Sequence, residues 1–331
     1  MLIVFRWLLR IFTGLVVLAL LAGVLIYYVL SRSLPDYNED FTLQGISAPV
    51  EIVRNNANVP HIFGKTADDV YFALGFAHAQ DRLWQMTMLR RTAQGRLSEI
   101  FGPRTVKTDE LLRRLDLYTL AEHSVAAQDA PTRLALQAYS DGVNAWITQV
   151  NLGARGRGAP EFFFFSNEIA AWSPADSLAI LKLMALQLSS AMADEVLRAQ
   201  ISMVLPAPRL ADILPDDPSA GIAALPDYAS LMPGQMPHPA KTRISYIDDP
   251  LSPFHSKEFA GASNAWAAMP NHAAAGGSLL ANDPHLGLTA PSIWYLARLE
   301  LPTGGVIGGT IPGMPLVLVG RSERLGWGLT S

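Results

Sequence analysis

Hydrophobic and polar residues alternate in three different ways along this chain. Residues Ile11–Leu30 (IFTGLVVLALLAGVLIYYVL) form an unbroken apolar run without a charge. From Thr66 to about Ile100, and again at about Leu111–Ala127, Pro131–Val150 and Pro174–Val204, apolar positions recur at helical spacing, and these stretches predict helices. Thr66 with Asp69 three residues later is a capping signal for the first of them, which Gly75 and Gly95 are expected to bend. The last opens with Ser173 as N-cap, Pro174 at N1 and Asp176 at N3. After Ser263 the pattern shortens to strands punctuated by glycine and proline: Asn264–Met269, Ser278–Ala281, Ile293–Leu301, Gly305–Thr310, Leu316–Val319 and Leu325–Gly328. An earlier strand pair, Val50–Val53 and Val59–Phe63, flanks Asn55-Asn56-Ala57-Asn58, where Asn58 is expected to take a left-handed backbone. Between Pro206 and Phe259 the periodicity disappears among prolines and aspartates, as in a surface loop or insert. Helices first and strands after predict an α+β fold.

About 20 uncharged residues suffice for a helix to cross a hydrocarbon layer of about 30 Å. Arg6 and Arg10 precede the apolar run, and Asp36, Glu39 and Asp40 accompany Arg32 after it. This asymmetry orients a single-pass inner-membrane helix with its N-terminus in the cytoplasm and the body facing the periplasm, with Tyr27 and Tyr28 at the far interface. Residues 1–33 are thus expected to be a membrane anchor and 34–49 a polar linker. A cleaved signal peptide is the alternative. Its apolar region is usually about 7–15 residues with a small-x-small site behind it, and VLSRS has no such site. A buried core helix is the third option.

Half of the 331 residues are hydrophobic and 16% are charged, so a sizeable core can form. The net charge of −4, without a basic run, argues against a nucleic-acid partner. Cysteine is absent, which excludes disulfides, cysteine zinc sites and thiol catalysis and leaves the compartment open. No HExxH, P-loop or GxGxxG motif points to zinc-protease, nucleotide or dinucleotide chemistry.

The segment GASNAWAAMPN carries the chemistry. Ser263 has no GxSxG elbow around it. It is well placed to be exposed by a cut at Ala262–Ser263, after which it holds both a hydroxyl and an α-amine. That amine, with an unperturbed pKa of roughly 7.7–8.0, can serve as base to its own hydroxyl.

Ser263-Asn264-Ala265-Trp266, Asn282-Asp283-Pro284-His285-Leu286, Pro312-Gly313-Met314-Pro315 and Gly326-Trp327-Gly328-Leu329-Thr330 together resemble the penicillin acylase family of N-terminal-nucleophile hydrolases. In the first half, Arg54 with Val59-Pro60-His61-Ile62, then Ala79–Met86 and Gly95–Glu99, resemble the opening strand and first long helix of that family's α chain. The resemblance runs from about Val50 to Ser331 and is weakest between about Pro206 and Ala260. It implies an αββα sandwich, incomplete in this chain, in which two antiparallel sheets lie between helical layers. Residues 50–205 would be the α-chain region, 206–262 a spacer and 263–331 the start of the β chain, so that the α and β chains of one precursor are partners. Members run several hundred residues further, so the chain is expected to be the N-terminal portion of a longer protein and inactive by itself.

The resemblance also assigns roles. Ser263 is the nucleophile, and self-cleavage falls at Ala262–Ser263, where Ala262 replaces the usual glycine and Gly261 stands one position earlier. His285 falls where members carry Gln or His, beside the nucleophile, to bind the acyl carbonyl and orient the amine; a structural loop histidine is the plainer alternative. Asn282 and Asp283 shape that loop. The backbone N–H of Ser331 contributes to the oxyanion hole, whose other donor is an asparagine further along the β chain. Gln187 and Leu188 replace an Arg-Phe pair, and with Met184 they line an acyl pocket unless they simply pack in the core. Asp194 and Glu195 are candidates for a structural calcium ligand or a solvated acidic pair; catalysis itself needs no cofactor. His61, His78, Gln80, Asp81 and Arg82 are explained by a buried Asp–Arg network tying helix to sheet. The implied activity is hydrolysis of the linear amide of a small N-acyl substrate: an acyl-homoserine lactone, a β-lactam side-chain amide or another N-acyl compound. A catalytically inactive, membrane-anchored binding protein on the same fold is the alternative from another class.

Overall fold

The structure, a computed structural model, describes residues 2–153, 158–165, 168–188, 191–203, 205, 209, 263–286 and 289–330. The chain divides into two compact units, residues 1–183 with 262–330, and residues 184–261 with 331.

In the first unit, helix α1 (Leu2–Ser31) takes in the apolar run and extends it toward the N-terminus past Arg6 and Arg10. Its 30 residues rise about 45 Å, enough to cross a membrane. No residue of α1 is buried. Residues 34–49, expected to be a polar linker, instead form an irregular strap pinned to the helical layer. The Tyr37 hydroxyl donates to Asp81 Oδ1 at 2.9 Å. Phe41 meets Phe76 and Trp146 edge-on. Asp69 accepts from the Ser47 N–H and hydroxyl at 2.6 and 2.7 Å.

Strands β1 (Glu51–Arg54) and β2 (Pro60–Phe63) pair antiparallel around the Asn55–Asn58 turn, where Asn58 has φ 59° as its residue type predicts. Helix α2 (Ala67–Ala93) follows. Thr66 caps it, accepting from the Asp69 N–H at 3.1 Å, while the Asp69 carboxylate is drawn off to Ser47 rather than closing a capping box. The expected bend at Gly75 is absent; the irregular residue is Arg82, at φ −138° and ψ 23°. Gly75 is required for a different reason. A Cβ there would lie 2.1 Å from the Tyr139 carbonyl oxygen, and one at Gly142 would lie 1.8 Å from that of Phe72. Helices α2 and α6 (Ala130–Asn151) thus touch backbone to backbone.

The first helix also stops earlier than its pattern suggests, because Gly95 turns the chain at φ 61° before the short α3 (Ser98–Phe101). The Leu111–Ala127 stretch is two helices, α4 (Val106–Leu115) and α5 (Leu117–Ala127), separated by Asp116 in the left-handed region. The Pro174–Val204 stretch likewise gives α7 (Pro174–Leu188) and α8 (Ala191–Ser202). At the start of α7, Asp176 Oδ2 accepts from the Ser173 N–H at 2.7 Å and from its hydroxyl at 3.2 Å, which ties the predicted N3 residue back to the predicted N-cap.

After residue 262 come β3 (Asn264–Ala268), β4 (Leu279–Asp283), β5 (Tyr295–Leu301), β6 (Gly304–Thr310), β7 (Val317–Arg321) and β8 (Gly326–Trp327). Strands β3 and β4 make a two-stranded antiparallel sheet. The other sheet runs β1-β2-β5-β6-β7-β8, so the N-terminal hairpin completes a sheet begun by strands more than 200 residues away. Helices and strands are therefore less segregated than the order of patterns suggests. Strand β2 runs parallel to β5 (His61↔Arg298), which corrects the expectation of a purely antiparallel sheet. In β5, Tyr295, Ala297 and Leu299 are buried on one face and Leu296 is exposed on the other, the period-2 signature of a sheet covered on one side. The core fills the space between that face and α2 and α6, with Ile62, Leu74, Met86, Tyr139, Trp146 and Leu299 fully buried.

In the second unit, the last turn of α7 and the whole of α8 are described as helix. Residues 210–262, most of the expected spacer, lie outside the described residues.

Candidate active site

Ser263 is the last irregular residue before β3 and is half-buried. The β3–β4 register closes with Asn264 opposite Asp283, which sets Ser263 at the same end of the hairpin as Pro284 and His285. The last residues of the β8 segment meet this end through two side chains. Thr330 Oγ1 donates to the Ser263 carbonyl at 2.8 Å. Asn282 Nδ2 donates to the carbonyls of Asn264 and Leu329, both at 2.9 Å, and its Oδ1 accepts from the Leu329 N–H at 3.2 Å. Gly328 lies flat on this carboxamide: a Cβ there would be 2.8 Å from Asn282 Cβ and Cγ. Asn282 thus shapes the loop, as the sequence suggests, by joining three strands' worth of backbone. Thr330 sits in the quoted GWGLT motif, but sequence alone gave it no role, because its partner is 67 residues away.

His285 Nε2 lies 2.7 Å from Asp283 Oδ2, with both side chains exposed. A neutral ring there carries its proton on Nε2 and offers Nδ1 as acceptor. Ala262 and Ser331 fall outside the described residues. Met184, Gln187 and Leu188 lie on the last turn of α7, where Met184 is buried, Gln187 half-buried and Leu188 exposed. Asp194 and Glu195 are neighbours on α8. Among the described residues no group of three or more His, Asp or Glu side chains is arranged to hold a metal.

Behind these elements the expected network is present, with a different arginine at its centre. Asp81 pairs with Arg54 of β1 at 2.8 Å, both side chains about nine-tenths buried. It also accepts from the Tyr295 hydroxyl at 2.6 Å. Arg54 reaches Gln80 Oε1 at 3.2 Å and stacks on the Tyr37 ring at 4.0 Å. Burial and the Asp81 charge push the Tyr295 hydroxyl well above its ordinary pKa, which keeps it a neutral donor. Arg82 leaves the network and donates to the Ser292 carbonyl at 2.9 Å.

His78 lies deeper, between Tyr139 (Nδ1, 2.8 Å) and Thr310 (Nε2, 2.9 Å). The directions are fixed by what lies beyond. The Gly313 N–H donates to the Tyr139 oxygen at 2.8 Å, and Thr310 Oγ1 donates to the Tyr295 carbonyl at 2.6 Å. Tyr139 therefore donates to Nδ1, and Nε2–H donates to Thr310. Total burial pushes the imidazole down to about 3, so it is neutral, and both of its nitrogens and the Tyr139 and Thr310 hydroxyls beside it are paired.

The model of the penicillin amidase family matches residues 49–331. The chain belongs to that family. It is similar to acyl-homoserine lactone acylase QuiP of Pseudomonas aeruginosa, at 30% identity over 90% of this chain and 35% of that protein. It is also similar to the penicillin acylase 2 proenzyme of Pseudomonas sp. strain SE83, at 30% identity over 86% of this chain and 36% of that protein. The chain thus spans about a third of the length of these curated relatives. A solved thermostable penicillin G acylase from Alcaligenes faecalis aligns at 27% identity and a TM-score of 0.43, covering 54% of this chain and 97% of that one. Within this penicillin amidase family member, the family match begins at the β1 hairpin and leaves α1 outside it.

Proposed function

We propose that this chain is part of a self-cleaving amidohydrolase that splits the linear amide of a small N-acyl substrate through an acyl-enzyme on Ser263. The observation that carries the proposal is the seat of Ser263 at the open end of β3. There its carbonyl is tied to Thr330, so that tie occupies neither its hydroxyl nor its nitrogen. In the precursor, Ser263 Oγ attacks the Ala262 carbonyl carbon and the Ala262–Ser263 C–N bond breaks. The ester that results leaves the amine free; water then hydrolyses it to the Ala262 carboxylate and a chain-terminal Ser263. In turnover the neutral amine takes the Oγ proton as Oγ attacks the substrate carbonyl, and returns it to the leaving amine; water resolves the acyl-enzyme. The Ser331 N–H supports the developing oxyanion, a contribution of about 2.7–4 kcal/mol for a well-placed donor. The relatives' names support acyl-homoserine lactones and penicillin-type amides as the substrate classes. The proposed frame is the αββα sandwich of N-terminal-nucleophile hydrolases, with residues 50–205 as α-chain region, 206–262 as spacer and 263–331 as the start of the β chain.

The proposal includes α1 as a single-pass anchor with the body in the periplasm, supported by its length and a mean hydropathy of 2.5 over its most apolar stretch. A phosphatase fused after Asp40 is expected to be active in the periplasm; activity confined to the cytoplasm refutes the orientation.

Mass spectrometry of the full-length product is expected to find a second chain beginning at Ser263 without added protease. Ser263→Ala is expected to leave an uncut precursor without amidase activity on a chromogenic N-acyl substrate. Wild-type turnover by Ser263→Ala overturns the mechanism. Cleavage and ligand binding without turnover in the full-length protein favours the binding-protein alternative.

A further inference from the structure

A residue that becomes a chain end loses its covalent tether on one side, and chain ends fray unless tied down. Ser263 faces this problem on the reading proposed above. The first residues of β3 are held across the hairpin by the ladder to β4, and again by two side chains, Asn282 of β4 and Thr330 beyond β8. Thr330 Oγ1 holds the Ser263 carbonyl, and Asn282 Nδ2 holds the next carbonyl along, that of Asn264. The same Asn282 carboxamide grips the Leu329 carbonyl and N–H, one residue before Thr330. Both carboxamide hydrogens and its oxygen are therefore used, and Gly328 leaves no room for the group to shift toward β8. The two segments, 263–264 and 329–330, are lashed together at successive residues.

We infer that Thr330 and Asn282 are positioning residues for the nucleophile, holding Ser263 in place by its backbone once the bond before it is cut. The inference rests on Ser263 being that nucleophile. The three Asn282 and Thr330 contacts beyond Asn264 lie at exposed positions, where a hydrogen bond adds little to global stability. Their effect falls on placement, and a displacement of about 1 Å at a reacting atom costs on the order of 100-fold in rate.

The test uses the full-length protein, comparing wild type with Thr330→Val, Thr330→Ser, Asn282→Ala and Ser263→Ala for cleavage, kcat, KM and Tm. Thr330→Val keeps the volume and removes the donor. Its kcat is expected to fall by about 10- to 100-fold, with KM within about threefold and Tm unchanged, and Thr330→Ser is expected to restore most of the rate. Asn282→Ala is expected to act in the same direction. The double variant Thr330→Val with Asn282→Ala should be no worse than the weaker single one, since both break one clamp. A Thr330→Val precursor that stays uncut while Thr330→Ser is cut is the same result one step earlier, because Ser263 attacks in both reactions. Wild-type kcat in Thr330→Val, or a rate loss that tracks a fall in Tm across the variants, overturns the inference. Activity in Ser263→Ala sinks the underlying mechanism whatever Thr330 does. An inactive Ser263→Ala beside a fully active Thr330→Val sinks this inference alone.

Discussion

In the layer formed by α2 and α6, Trp146 keeps 2% of its exposure; in the β3–β4 hairpin, Trp266 keeps 60% and Leu279 keeps 55%. The helical layer is closed by exclusion of water, with two glycines letting backbones touch and each buried polar group of the Arg54–Asp81 and His78 networks given a partner. The hairpin that carries Ser263 buries little apolar surface and is ordered by a carboxamide and a hydroxyl. The lesson is a division of labour. The α2–α6 region supplies the free energy that keeps the chain folded, and the hairpin supplies geometry that burial alone does not specify.

That division can be broken at its strongest point first. Asp81→Asn leaves Arg54 nine-tenths buried without its countercharge, and two tyrosine hydroxyls with a weaker acceptor. It is expected to cost about 3–5 kcal/mol in urea denaturation; a loss below about 1 kcal/mol means that water reaches the pair. Gly142→Ala forces apart two backbones that meet at the Phe72 carbonyl and is expected to cost about 3 kcal/mol, read as a lowered midpoint at unchanged m.

His78 sharpens the contrast through pH. Its folded pKa of about 3 lies below its unfolded value, so the unfolded chain binds the extra proton between the two. The stability it contributes is complete above about pH 6.5 and declines as pH falls toward 3, by up to about 1.4 kcal/mol per pH unit. From pH 6.5 to 5 this amounts to about 2 kcal/mol, and His78→Gln is expected to flatten that limb; an unchanged slope assigns it to other groups. Trp266→Ser tests the other side of the comparison. In the 331-residue chain it is expected to change stability by less than about 0.5 kcal/mol, and a loss above about 2 kcal/mol shows that the hairpin face is covered in solution.

Local features were legible in the sequence. The left-handed Asn58, the Ser173–Asp176 start of α7 and the six strands after Ser263 all follow from residue type and spacing. What escaped depends on partners distant in sequence. Nothing near Asp116 marks a break between α4 and α5, since an aspartate tolerates either conformation. Gly75 read as a hinge because its real constraint, the Tyr139 carbonyl, belongs to another helix. Asp81 and Arg82 read as members of one network tying helix to sheet, whereas the arginine that pairs with Asp81 comes from β1. The strap over residues 34–49 read as linker because its anchors, Asp69 and Asp81, appear only after the chain has turned back. At the site, the motif around Ser263 is what the proposed chemistry starts from, but the Thr330 and Asn282 ties depend on the meeting of three chain segments.

The Gly313 amide makes the buried relay visible on a slower clock. Its hydrogen points at the Tyr139 oxygen inside a sealed layer, so exchange with heavy water has to wait for that layer to open as a whole. The Leu329 amide lies at an exposed position on the half-buried Asn282 carboxamide and can trade its hydrogen through a local fluctuation. One protein thus carries two isotopic timers, one set by global opening and one by local opening at its surface.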